Sequence, residues 1–93
     1  MPYQILPYSY SRAKELGVKI APSTRRNKKI DVYDWRNNYI TSIGAIGYGD
    51  YPTFWKHFGK EYADKKRRLY KIRHQKDRVV LGSAGYYADQ ILW

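Results

Sequence analysis

Residues 65–78 read KKRRLYKIRHQKDR: eight lysines and arginines in fourteen positions, with Asp77 the only acid. Taking an unpaired cation out of water is costly, so the element carrying this run must stay at the surface and the core must come from other residues. The spacing predicts a helix over about 52–75, with Pro52 in its first turn and Gly59 kinking or dividing it. At about 100° per residue Phe54, Phe58, Tyr62, Leu69 and Ile72 fall in one stripe about 80° wide, the face such a helix would dock. Arg67, Arg68, Lys71, His74 and Arg78 fall opposite, and Lys66 and Arg73 flank the stripe. Lys65 and Lys76 fall inside it, where only their stems can lie on apolar surface.

The rest of the chain predicts a small sheet and short helices. IDVYDW alternates Ile30 and Val32 on one face with Tyr33 and Trp35 on the other. Arg36-Asn37-Asn38 suits a turn, because asparagine tolerates left-handed backbone, and YITSIGAIGY returns as the partner strand. A central hairpin over about 29–48 follows, with a brief strand at Val18 and Ile20 before it. The prolines of residues 1–10 predict an extended N-terminal arm, after which Ser9 or Ser11 caps a short helix closed by Gly17. VVL at 79–81 predicts a third strand or a buried connection. Ser83 then caps a last helix docked by Tyr87, Ala88, Ile91 and Leu92. The expected architecture is a single small α+β domain, an antiparallel sheet packed on one long basic helix with short helices near both termini.

The net charge of +10 is concentrated. RRNKK at 25–29 holds four more bases, and outside the two segments six bases face seven acids. Crowded like charges repel one another, and an anionic partner relieves that repulsion. The candidate binding groups are Arg25, Arg26, Lys28 and Lys29 from the first segment and Lys66, Arg67, Arg68, Lys71, Arg73 and Arg78 from the second. Arginine grips a phosphate with two parallel hydrogen bonds, which lysine cannot do. Tyr33 and Trp35 are candidates for stacking on bases if their face of the hairpin is open, and core residues if it packs on the long helix. The bland alternative is a solvated basic face that only keeps the chain in solution.

Catalytic patterns are weak. The absence of cysteine excludes disulfides, thiolate metal sites and a thiol nucleophile. His57 and His74 have no further ligand at metal spacing, and Asp31 and Asp34 point to opposite faces of a strand. GAIGYG lacks the lysine and hydroxyl residue of a phosphate-binding loop. Arg68, Tyr70, Arg73, His74 and Lys76 have the residue types of a tyrosine recombinase site but crowd onto one helix. YITSIG keeps neither half of the GIY-YIG nuclease motif intact, with Glu61 the one plausible metal-binding carboxylate downstream. The expectation is a chain that is not an enzyme, with no cofactor, no metal and no small-molecule substrate. No apolar run is long enough to span a membrane, and MPYQILPYSYSR lacks the blocks of a secretion signal, so the expected setting is intracellular and not secreted.

Four blocks, KKIDVYD, IGAIGYGDYPTFW, GKEYADKKRRLYKIRH and GSAGYYADQILW, together resemble a family of small basic proteins encoded by large double-stranded DNA viruses. The likeness covers about residues 10–93. It implies a viral setting, in the virion or at the site of replication in the host, and it assigns no site residues. A more distant analogy is to small archaeal chromosomal proteins, basic monomers that bend DNA and have a similar hairpin-plus-helix order. Two functions are expected from residues and resemblance together. One is a non-enzymatic protein that binds viral double-stranded DNA without sequence specificity, through phosphate contacts, for compaction or packaging. The other is a virion structural protein, a minor capsid or internal cementing component, whose basic face meets the genome or an acidic capsid partner.

Overall fold

The computed structural model describes residues 3–93. The elements are α1 (Pro7–Leu16), β1 (Lys19–Pro22), β2 (Lys28–Tyr33), β3 (Tyr39–Ala45), α2 (Tyr51–Phe58), α3 (Lys60–Arg73) and α4 (Ala84–Leu92). The three strands form one antiparallel sheet in the order β1-β2-β3, in which Ile20 faces Val32 and Ile30 faces Ile43. This is the expected α+β class with the expected central hairpin. Asn37 takes the left-handed backbone (φ 67) in the turn, and the Asp34 carboxylate accepts hydrogen bonds from the Arg36 and Asn38 amides, both at 2.9 Å.

What packs on the sheet differs from expectation. Ile30, Val32 and Ile43 form the core with Ile5, Ala13, Ile91 and Leu92, so α1 and α4 cover the apolar face in place of the basic helix. Those two helices are also tied to each other. The Ser9 hydroxyl donates to the Ile91 carbonyl at 2.9 Å and Arg12 Nε to the Gln90 carbonyl at 2.8 Å. Helix α1 starts at Pro7, which corrects the extended arm of residues 1–10. Proline costs nothing in a first turn, and starting there lets Ser9 and Ala13 bury one face. Ser9 is therefore inside the helix and not its cap. The chain before it is anchored: Ile5 is buried, and the Tyr3 hydroxyl donates to Asp50 at 2.6 Å. Residues 1 and 2 of the arm lie outside the described residues.

The long helix is divided at Gly59, whose backbone (φ 91, ψ 170) is essentially closed to residues with a side chain. Asp50 caps α2 by accepting from the Thr53 amide at 3.0 Å, and Gly17 closes α1 as expected. Helix α3 turns Ala63 and Tyr70 inward with Arg67 half-buried between them, a spacing of four and three residues on one face. The predicted stripe is thus not a docked face: Phe58 is 63% and Ile72 64% exposed, with Tyr62 and Leu69 exposed beside them. VVL at 79–81 is also exposed, neither strand nor buried connection. Residues 74–83 run in tight turns that satisfy their own backbone, Arg78 N to the His74 carbonyl at 2.9 Å and Ser83 N to the Val80 carbonyl at 3.1 Å. Ser83 caps α4 as expected, its hydroxyl accepting from the Tyr86 amide.

Candidate nucleic-acid interface

The first basic segment sits on the β1–β2 connection, which is held by a buried carboxylate. Asp31 is 3% exposed and accepts from the hydroxyls of Ser23 and Ser42, each at 2.6 Å, and from the Thr24 amide at 3.2 Å. Burial pushes its carboxyl up, but the bonds from Ser23, Ser42 and Thr24 outweigh this and hold it below the usual carboxylate value. The loop is closed further by Ser23 N to the Lys29 carbonyl and by Arg25 N to the Ser23 hydroxyl, both at 3.0 Å. Arg25, Arg26 and Lys28 are exposed on this ordered support, with the Arg25 guanidinium 5.7 Å from the Tyr39 ring centroid. Lys29 is not part of that surface. It is 4% exposed, its ammonium pairs with Asp50 at 2.8 Å, and it also donates to the Tyr48 carbonyl. Strand alternation turns Lys29 into the fold, and Asp50 meets it there.

The second segment divides in the same way. Arg68 and Arg73 are exposed on α3, and Lys66 is half-buried with its ammonium 5.4 Å above the Tyr62 ring. Lys65 and Lys76, which the stripe placed on the docked side, are exposed as well. Lys65 shares the exposed side of α3 with Tyr62, Leu69 and Ile72, and Lys76 lies in the turns after the helix. Three candidates are already occupied within the fold. The Arg67 guanidinium lies 3.5 Å from the Tyr51 ring centroid and donates to the Tyr8 hydroxyl at 3.3 Å, while its Nε is buried without a hydrogen-bond partner. Lys71 pairs at 2.7 Å with Asp89, a carboxylate only 2% exposed. Arg78 Nε donates to the Lys71 carbonyl at 3.3 Å, near the end of α3 where a cation also suits the helix dipole. Arg67 and Lys71 are therefore corrected from free phosphate-binding groups to structural cations, while Arg78 is half-buried with its Nε engaged.

The two segments approach each other at the open end of the hairpin. Lys28 lines one shallow hollow with Tyr70 and His74, and Lys66, Arg73 and His74 line a neighbouring one with Gly44 and Ala45. Tyr33 and Trp35 lie elsewhere. Lys28 pairs with Ala45 but Tyr33 with Tyr39, at the far end of the ladder, five residues away or about 17 Å. Trp35 is 67% exposed in the turn, beneath the Arg36 guanidinium at 4.6 Å, and Tyr33 packs edge-on against Tyr39. Neither closes a core against the long helix, and neither joins the basic groups of α3.

Among the described residues no three histidine, aspartate or glutamate side chains converge to hold a metal ion, and no helix is long and apolar enough to cross a membrane. Only Arg12, Lys29, Lys60 and Lys71 of the lysines and arginines form salt bridges with carboxylates among those residues. Within the two basic segments Arg25, Arg26 and Lys28 with Lys65, Lys66, Arg68, Arg73 and Lys76 have no carboxylate partner among the described residues. The same is true of Lys14, Lys19, Arg36 and Lys56 elsewhere on the surface, and such cations are chemically suited to polyanions. Comparison with known protein families, curated proteins and solved structures gave no match to this chain.

Proposed function

We propose that the protein is a non-enzymatic nucleic-acid-binding protein that holds double-stranded DNA through phosphate contacts without reading its sequence. The observation that carries the reading is the separation of cations into two populations. Lys29 and Lys71 are held by buried carboxylates within the fold, while Arg25, Arg26, Lys28, Lys66, Arg68 and Arg73 have no carboxylate partner among the described residues. Lys28 lines a hollow with Tyr70 and His74 that adjoins the one lined by Lys66 and Arg73. Cations placed this way release counterions from a phosphodiester backbone, and they carry no base-specific geometry. The family resemblance supports a viral genome as the DNA concerned, with compaction or packaging as the role.

The test is a duplex titration across a range of salt concentrations. Six phosphate contacts give a log–log slope of about −5. Replacing Arg25, Arg26, Arg68 and Arg73 with alanine removes four contacts and brings the slope to about −2, with the thermal midpoint retained because all four are exposed. A slope unchanged by the four substitutions would sink the proposal. A second reading, a virion structural protein, is supported by the exposed apolar side chains of Phe58, Val79 and Leu81. It expects binding to an acidic shell protein and weak affinity for free duplex.

A further inference from the structure

An open hollow of about 800 Å³ lies between the β3–α2 connection, α3 and the end of α4, and phosphate contacts alone make no use of it. Its walls are Phe54, Leu69, Tyr70, Ile72 and Trp93, and its size is that of a pocket for a small ligand. The Tyr70 and Trp93 rings are stacked within it, 4.4 Å apart and 8° from parallel, and Phe54 packs beside Trp93 at 6.0 Å. Gly49 lets the Phe54 ring pack directly on the backbone at one wall, where any Cβ would clash with that ring.

Charge selects the occupant. Among the described residues the one side-chain carboxylate lining the hollow, Asp50, is spent on Lys29, Tyr3 and the Thr53 amide, so it offers little to repel an anion. Lys66 and Arg73 line the same hollow and have no carboxylate partner among the described residues. Aromatic and apolar walls beside two free cations match a flat ring joined to phosphates, which is the chemistry of a nucleotide unit. A second copy of this chain would bring its own surplus of +10 to the same cations. A base inside an intact duplex is stacked on its neighbours and cannot enter.

We propose that the hollow receives one unpaired nucleobase of the bound nucleic acid, with the flanking phosphates on Lys66 and Arg73. The protein then prefers a duplex carrying a bulge, gap or frayed end to one fully paired. This rests on the nucleic-acid-binding reading and deepens it.

The experiment titrates the full chain into three labelled duplexes at one salt concentration. One is fully paired, one carries a single 2-aminopurine bulge, and one carries the same bulge with an abasic residue. The base-containing bulge binds roughly tenfold more tightly than the other two, the worth of one stacked base, and its 2-aminopurine emission falls on binding. Leu69→Gln with Ile72→Gln changes two exposed positions and erases the preference while leaving fully paired duplex bound as before. Trp93→Ala, checked for folding by its thermal melt, does the same by removing the stacking platform. Equal affinity for all three duplexes, with steep salt dependence intact, overturns base binding in the hollow and leaves phosphate binding standing. Base binding is equally overturned if the abasic bulge binds as tightly as the base-containing one, or if both variants keep the preference. Failure to bind any of the three overturns both proposals.

Discussion

Asp50→Asn separates the cations that hold the fold together from those left for a partner. Lys29 and Asp50 have side chains 5% and 1% exposed and lie 2.8 Å apart. Asparagine keeps the shape of the side chain and its one oxygen can still cap the helix at the Thr53 amide, but its NH2 then faces the Tyr3 hydroxyl and the Lys29 ammonium, which share the other oxygen of Asp50. The change therefore removes the negative charge and the shared acceptor together, and leaves a buried ammonium with only the Tyr48 carbonyl as a good acceptor. Removing one partner of a buried pair costs about 3–5 kcal/mol, while a chain of this length has roughly 5–14 kcal/mol in total. Urea unfolding should show the midpoint of Asp50→Asn falling by about a fifth or more. Adding Lys29→Met removes the stranded cation, and its flexible thioether takes the room of the lysine stem beside Gly44 and Leu92. That double variant keeps the net charge and should return to within about 1 kcal/mol of the parent. Its DNA-binding salt slope should match the parent's, because Lys29 touches no phosphate. A cost below about 1 kcal/mol for Asp50→Asn, or no recovery in the double variant, would refute the buried-pair argument. A double-variant slope shallower by about one would put Lys29 back on the nucleic acid.

Gly59→Ala meets no atom within 4 Å of the new Cβ, so its cost is purely that of the φ 91, ψ 170 backbone, about 1–3 kcal/mol by urea titration; a stabilised variant would mean that α2 and α3 prefer to run as one helix. Acid sensitivity follows from Asp31. Its carboxyl is held below the ordinary value in the fold, so its contribution is fully present above about pH 4 and lost as pH falls through the folded value. The urea midpoint should drop between neutral pH and about pH 3, and drop less in Asp31→Asn. Equal drops would remove Asp31 from the account.

The hairpin was legible because each of its signals is local. Ile30 and Val32 alternate with polar neighbours, and Asn37 supplies the left-handed turn at a spacing that fixes the register. The cap of α4 by Ser83 and the stop of α1 at Gly17 were legible for the same reason. The packing of α3 was not. Phe54 and Phe58 still meet Tyr62 across Gly59, and Leu69 and Ile72 share a hollow with Phe54, but that stripe lies toward solvent because α1 and α4 cover the sheet and Ala63 and Tyr70 take the inward side of α3. The site was legible as two basic segments but not residue by residue. Whether a lysine is free or structural depends on a carboxylate far away in sequence, Asp50 for Lys29 and Asp89 for Lys71, and periodicity carries no information about that pairing.

The placement of the acids, more than their number, gives the net charge its meaning. Asp31 fastens the loop under Arg25 and Arg26, and Asp34 fastens the hairpin turn. Asp50 and Asp89 neutralise the two lysines that reach into the fold, and Asp64 receives Lys60 and the Tyr51 hydroxyl. Had the same carboxylates stood between Arg68, Arg73 and Lys76, the composition would be identical and the field over α3 would largely cancel within a Debye length of about 10 Å. Because they are consumed in folding, the outward cations keep their field. Arg25, Arg26 and Lys28 are also held on an ordered loop, so less conformational entropy is lost when they meet a polyanion. On the proposed function a buried carboxylate such as Asp31 would contribute to binding without touching the ligand, by fixing where the arginines stand.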